Sequence, residues 1–223
     1  MATSGTTSFT LSVDEIIAAA VDRIGGETTT GYELRAARRV LGLFLLDLGN
    51  RGINLWSVER GEMALVGGQA EYTLAADTVD WLDAALCRDG TDTAMERISV
   101  ADYQRLAVKS TEGRPARFLI ERPRGAPVLT LYPVPENSTD TIKYRRTRRL
   151  EDAGAMTNEL DVPPRFYPAV ISGLAWFMGE QRPSAVDAQR RGELKARYEE
   201  DLSRAQEEDR ERVSLFIRPG RRR

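Results

Sequence analysis

The chain has 223 residues, a formal net charge of −2, one cysteine and no histidine. This composition excludes a Ser-His-Asp triad, a Cys-His pair and an intrachain disulfide, and it removes the usual ligands of a structural zinc site. No phosphate-binding or calcium-binding loop motif occurs either, so no catalytic residue, no cofactor and no metal is singled out. No apolar stretch approaches the roughly 20 residues that a membrane-spanning helix needs, so no membrane contact is expected.

The first two predicted helices follow residues 1–10, which we interpret as a flexible arm. Ser12-Val-Asp-Glu15 has the sequence of a capping box, and apolar residues follow at helical spacing as far as Ile24. Gly25-Gly26 is expected to end this helix, because glycine readily adopts the left-handed conformation found after a helix. A second amphipathic helix is predicted from Gly31 to Leu48.

Short apolar or alternating runs, separated by turn residues, dominate residues 54–150. We predict that they form an antiparallel series of short strands, folded as a small β-sandwich or barrel-like domain. Gly67-Gly68 and Pro135-Glu-Asn-Ser-Thr139 are interpreted as hairpin connections. Cys87 is expected to be a small buried residue in a strand.

Helical periodicity returns after Pro163-Pro164 and then, after a break, in the strongly charged segment Ala185–Arg212. Its sparse apolar residues include Leu194, Tyr198 and Leu202. Such a helix either bridges solvent or packs along a narrow seam against other helices.

The order of these elements predicts an α+β fold. Residues 11–53 and 160–212 form a helical bundle, because the N- and C-terminal helices each have an apolar face that needs cover. Residues 54–150 form the inserted antiparallel β domain. Residues 213–223 form a tail in which Leu215–Ile217 are too few to make an element, so they fold back onto the domain or dock into a partner.

A second function stays open because residues 143–149 are rich in arginine. The interleaved Tyr144 could stack on a base while arginines contact phosphates. This hypothesis is a nucleic-acid-binding module that uses Arg145, Arg146, Arg148 and Arg149. The structural interpretation is an edge strand, whose charges discourage pairing with other chains. A carboxylate-based hydrolase ranks last, because no pair of acidic residues can be singled out.

Several segments occur in a characteristic order. An arginine-rich helix ends in Leu48-Gly-Asn-Arg-Gly52, Ile53-Asn-Leu-Trp56 leads into the strands, and Val162-Pro-Pro-Arg-Phe-Tyr-Pro168 opens a helix that contains Trp176-Phe177. In this order they resemble the head-to-tail adaptor proteins of short-tailed phages, also called tail tubular protein A. The resemblance covers most of the chain, from Val13 to Arg212.

The resemblance implies a virion structural protein, made in the host cytoplasm, without enzymatic activity. Such adaptors form a ring, commonly a dodecamer, that binds the phage portal protein, extends the channel for genomic DNA and receives a downstream tail or nozzle protein. The residues expected to dock into the portal are Val213, Leu215, Phe216, Ile217 and Arg218. Those expected at the boundary between subunits are Leu194, Arg197, Tyr198, Leu202 and Arg204.

Overall fold

The computed structural model describes residues 5–6, 8–26, 31–51 and 55–209. The fold is α+β, as the sequence predicts, with five α-helices and several mainly antiparallel sheets in this part of the chain. The chain divides into two compact units. The helical unit consists of the residues up to Leu55 and those from Glu151 onward, and the β unit is Trp56–Leu150.

The helices and strands are numbered in chain order. The helices are α1 (Val13–Arg23), α2 (Gly31–Gly49), α3 (Val100–Gln104), α4 (Tyr167–Gln181) and α5 (Ala188–Glu208). The strands are β1 (Val58–Ala64), β2 (Glu71–Thr73), β3 (Thr78–Arg88), β4 (Thr91–Ala94), β5 (Glu96–Arg97), β6 (Glu112–Gly113), β7 (Arg117–Glu121), β8 (Val128–Tyr132), β9 (Val134–Pro135) and β10 (Thr141–Arg148).

Helix α1 begins where the capping-box sequence predicts. The Glu15 carboxylate accepts hydrogen bonds from the backbone amide of Ser12 at 2.9 Å and from its hydroxyl at 2.8 Å. These bonds lower the pKa of Glu15, because they favour its charged form. After the helix, Gly25 adopts a φ of +69°, the left-handed conformation expected from the Gly-Gly pair.

Helix α4 is the buried centre of the helical unit and contacts α1, α2 and α5. Its apolar residues lie on all sides, which is typical of a helix covered all round. Gly173 lies where α2 and α5 approach α4, and a Cβ there would meet the Phe44 ring and lie 2.9 Å from Cδ2 of Tyr198. The Phe44 and Tyr198 rings meet edge to face with their centroids 5.5 Å apart. Glycine at position 173 thus allows two aromatic side chains to pack on α4.

The β unit contains two four-stranded sheets and one pair of short strands, and no sheet closes on itself in the described residues. The first sheet has the strand order β1-β10-β3-β4 and the second has the order β2-β8-β7-β5. The prediction of a purely antiparallel series is wrong for two pairs, because β5 pairs with β7 and β6 with β9 in parallel. These strands are too short to leave a pattern in the sequence.

Both four-stranded sheets contribute to one hydrophobic cluster. Trp81 and Ile142 come from the first sheet, and Phe118 and Leu129 come from the second. Each of these four side chains is at most 1% exposed. Burial of such large apolar side chains is the main stabilising contribution to a domain of this size, so the two sheets depend on each other for their stability.

Two connections predicted to be hairpins lead from one sheet to another. The turn at Gly67-Gly68 joins β1 in the first sheet to β2 in the second, with Gly68 at a φ of +79°. Residues 136–140 join β9 to β10, which also belong to different sheets. Turn-forming residues predict that the chain reverses, but they do not identify the neighbouring strand, so the hairpin interpretation is wrong at both places.

Two further details differ from the prediction. Helix α5 begins at Ala188, three residues later than predicted, because the Asp187 side chain caps it by accepting the backbone N–H of Arg190 at 2.7 Å. The predicted end of this helix, residues 210–212, lies outside the described residues. Cys87 lies in a strand, β3, but it is partly exposed instead of buried.

Candidate interaction surfaces

The basic run at residues 143–149 lies mainly on β10, at the centre of the first sheet between β1 and β3. The edge-strand interpretation is therefore wrong. In the register of the sheet, Arg146 lies opposite Glu59 of β1, and Arg145 lies opposite Asp83 of β3. These acidic neighbours are between 62 and 87 residues away along the chain, so the local sequence could not reveal them.

Four basic side chains of this run are held by carboxylates. The ion pairs are Lys143–Asp92, Arg145–Asp83, Arg146–Glu59, Arg146–Asp77 and Arg148–Glu59. Hydrogen bonds from Arg146 lower the pKa of Asp77, and those from Arg145 lower the pKa of Asp83. Arg149 follows β10, and its backbone amide donates to the Asp77 carbonyl at 2.8 Å. The basic run therefore ties β10 to both adjacent strands and to the segment before β3.

Tyr144, the aromatic residue within the basic run, stacks on Trp81 of β3. Their ring centroids are 4.1 Å apart and their planes differ by 6°. Gly61 lies opposite Tyr144 on β1, and a Cβ at this position would lie 2.8 Å from Cε2 of Tyr144. Glycine inside a strand often marks such a close approach, and this signal was available in the sequence. The Tyr144 ring is therefore part of the β unit's own packing.

The five residues expected at the subunit boundary divide into two groups. Three are buried within the helical unit itself: Leu194, Tyr198 and Leu202. They form the narrow seam that the sequence predicts, and α5 packs on α4. Arg197 and Arg204 lie on the exposed surface, where they pair within α5 with Asp201 at 3.2 Å and with Glu200.

A buried carboxylate on the seam of α5 was not predicted. Asp201 is 5% exposed, and it accepts hydrogen bonds from the Ser172 hydroxyl of α4 at 3.0 Å and from Nε of Arg197 at 3.2 Å. Arg23, at the end of α1, lies 4.0 Å from the same carboxylate. Helices α1, α4 and α5 are thereby linked through the Asp201 carboxylate. The available signal was its spacing, because Asp201 lies three residues after Tyr198 on the buried face.

The last described residue, Asp209, is fixed within the helical unit. Its carboxylate accepts the backbone N–H of Leu55 at 2.9 Å and pairs with Arg165. The residues expected to dock into the portal, Val213, Leu215, Phe216, Ile217 and Arg218, lie outside the described residues. The structure therefore shows how the chain is held at Asp209, just before these residues. Their docking role stays a prediction.

Neither a metal site nor a membrane span is found in the described part of the chain. No group of three or more histidine, cysteine, aspartate or glutamate side chains could hold a metal ion there. None of the described helices is both long and apolar enough to cross a bilayer. In these residues the molecule is an α+β protein, and ion pairs link several of its strands and run along α5.

A family model described as SU10 adaptor protein matches residues 10–223. The chain therefore belongs to the SU10 adaptor protein family. This is a family of phage adaptor proteins, so the protein has a structural adaptor role in the virion, and its predicted identity as a phage head-to-tail adaptor is confirmed. No curated protein matches the chain.

Proposed function

We propose that this adaptor assembles as a ring, by resemblance a dodecamer, beneath the phage portal. The ring extends the channel for genomic DNA and receives a downstream tail or nozzle protein. The observation that carries the proposal is the family match to residues 10–223, because it includes both units and reaches the last residue. An adaptor binds different neighbours at its two ends, and in this proposal each of the two units serves one of them.

In this proposal the helical unit, a bundle around α4, forms the wall of the ring. The β unit, as a sandwich-like pair of sheets around one core, faces the tail. The exposed face of α5, with Arg197 and Arg204, lies near the subunit boundary. On its opposite side α5 is buried against α4, which fixes the position of the helix and therefore of its exposed arginines.

The alternative, a nucleic-acid-binding module at residues 143–149, has less support. Arg145, Arg146 and Arg148 are each engaged with a carboxylate of the same unit. A phosphate would have to displace these carboxylates, and the net charge of −2 supplies no general attraction for DNA. The tyrosine that would stack on a base is stacked on Trp81. We therefore favour a structural role for the basic run.

Deletion of residues 213–223 tests the docking role of the tail. The truncated protein is expected to bind portal-bearing heads at least about 100-fold more weakly, because Leu215, Phe216 and Ile217 would no longer be buried in the portal. Its thermal unfolding should match that of the full chain. The measurement is adaptor retained by purified portal-bearing heads after sedimentation.

A shorter deletion, of residues 219–223, serves as the matched control. It removes three terminal arginines but retains the residues assigned to docking, and it should preserve binding at physiological salt. Equal retention of the full chain and the protein that lacks residues 213–223 would contradict the proposal.

A further inference from the structure

The outer face of α2 combines positive charge with exposed leucine. Arg35, Arg39, Leu43 and Leu46 follow one another at spacings of three or four residues and form one stripe on the helix. Phe44, on the other side of the helix, is fully buried. Leu43 is 52% exposed and Leu46 is 66% exposed. The two leucines lie one turn apart and form a small apolar patch beside the arginines, and exposed apolar patches rimmed by polar residues mark interaction sites.

The arginines of this stripe differ from most others in the protein. Within the described residues, no carboxylate pairs with Arg35, Arg39 or the neighbouring Arg38, whereas arginines of the β unit and of α5 commonly have such a partner. Three guanidinium groups that lack a carboxylate partner among the described residues therefore lie beside two exposed leucines. Guanidinium groups pair well with carboxylates, and arginine is enriched at protein interfaces, so this composition fits an acidic protein surface whose other side chains are small.

Helix α1 presents such a surface. Its core-facing residues are buried, and its other side carries Asp14, Glu15, Ala18, Ala19 and Asp22, which are exposed or partly exposed. No basic side chain pairs with its three carboxylates within the described residues. The two alanines between the acidic groups leave room for larger side chains.

The two faces are opposite in charge and similar in length. Each has three charges of one sign and two apolar residues, Leu43 and Leu46 on α2 and Ala18 and Ala19 on α1. Helix α1 has 11 residues and the α2 stripe spans a similar number, so both extend about 16 Å. A closed ring requires two different complementary surfaces on every subunit, because its contacts are heterologous.

We propose that the α2 face of one copy (Arg35, Arg38, Arg39, Leu43 and Leu46) docks on the α1 face of the next copy (Asp14, Glu15, Ala18, Ala19 and Asp22). This inference rests on the proposed ring, and it adds one pair of contacting surfaces to the exposed face of α5. Guanidinium groups pair with carboxylates across the boundary, while the leucines cover the alanines. Every copy contributes its α2 face to one boundary and its α1 face to the other, as a ring requires.

Charge reversal tests the contact. Arg35→Glu with Arg39→Glu changes one face, and Asp14→Lys with Asp22→Lys changes the other. Each variant alone is expected to assemble on portal-bearing heads at least about 30-fold less well, because like charges then face each other. A mixture of the two variants should recover assembly, because complementary charges meet again at each boundary. Arg122→Glu with Arg124→Glu, exposed in the β unit, is the matched control and should assemble normally.

Cross-linking provides a second measurement that does not depend on the portal. In a Cys87→Ala background, one chain carries Ala18→Cys and another carries Leu46→Cys. A short bis-maleimide should join concentrated mixed chains into a dimer at least about fivefold more efficiently than it joins either chain with itself, since only the mixture brings the two thiols together at a boundary. Separate chains exclude a cross-link between α1 and α2 of one protomer.

The outcomes separate the two proposals. Failure of the unmodified protein to bind portal-bearing heads would overturn the proposed function, and the cross-linking yield would then decide the α1–α2 contact by itself. Two results would overturn the contact. One is normal assembly of both charge-reversed variants. The other is a mixture of the variants that does not assemble although both variants melt like the unmodified protein. Reduced DNA binding by the arginine variant with unchanged assembly would also overturn it and would assign the α2 face to nucleic acid.

Discussion

Replacing Gly173 with leucine is expected to lower the free energy of unfolding of the helical unit by about 3 kcal/mol. The first side-chain atom alone would lie 2.6 Å from Cζ of Phe44 and 2.9 Å from Cδ2 of Tyr198. Neither ring can move freely, because both are fully buried against α4. The leucine would therefore force α2 or α5 away from the central helix. Thermal or urea unfolding of the purified protein measures this change.

A second helical glycine provides the control for this prediction. Gly192 lies within α5, and a Cβ there would have no neighbour within 4 Å. Gly192→Ala should stabilise the protein by about 0.5–1 kcal/mol, because alanine has the higher helix propensity. A Gly173→Leu protein as stable as the unmodified chain would show that α2, α4 and α5 do not pack as closely as described.

Replacing Tyr198 with alanine is expected to lower the free energy of unfolding by about 3–5 kcal/mol. The Tyr198 ring is fully buried and contacts the Phe44 ring edge to face, and Arg51 lies 5.2 Å from its centroid. Burial also raises the pKa of its phenol to about 12. Its removal would leave a large cavity between α2, α4 and α5. Unfolding in urea, followed by far-ultraviolet circular dichroism, measures the loss.

Tyr198→Phe separates the contribution of the ring from that of the hydroxyl. The buried hydroxyl has no hydrogen-bond partner among the described residues, so its removal should leave stability unchanged or raise it by up to about 1 kcal/mol. This pair of variants also tests the expectation that Tyr198 contributes directly to the subunit boundary. An alanine variant that assembles poorly but unfolds like the unmodified protein would favour a direct contact between subunits.

Local signals in the sequence were sufficient for several elements. The capping box at Ser12 predicts the start of α1, and the short apolar runs predict strands where β7 and β8 lie. These features depend on residues a few positions apart, whose hydrogen bonds and alternating burial are visible in a short window. The same applies to the apolar seam of α5, since it repeats at helical spacing.

Features that depend on distant residues were not predictable in this way. The position of β10 between β1 and β3 is set by pairing across the β unit, and a register shift next to Arg145 further separates its side chains from simple alternation. Asp201 is buried because Ser172 and Arg197 satisfy its carboxylate. Its spacing from Tyr198 places it on the buried face of α5, but the sequence of α5 does not identify the Ser172 hydroxyl of α4 that it accepts.

The α5 residues expected at the subunit boundary show the same difference between local signals and contacts with distant residues. An apolar seam at Leu194, Tyr198 and Leu202 predicts that α5 is covered, but it does not tell whether the cover is a second copy or the chain's own α4. The structure buries these residues within one chain. Among the described residues, the arginines of α2 without a carboxylate partner and its exposed leucines could be identified only after the neighbours of the helix were known. Their role at a boundary is now a prediction that assembly experiments can test.

Electron microscopy of the purified protein mixed with purified portal tests the central claim, that this family member is a ring-forming adaptor. We predict a second ring stacked coaxially on the portal, with a continuous central channel and one adaptor chain at each position around the ring. The claim would be contradicted if the portal particles carried no added ring and the adaptor remained as free single chains. This result counts when the adaptor concentration is well above that in an infected cell.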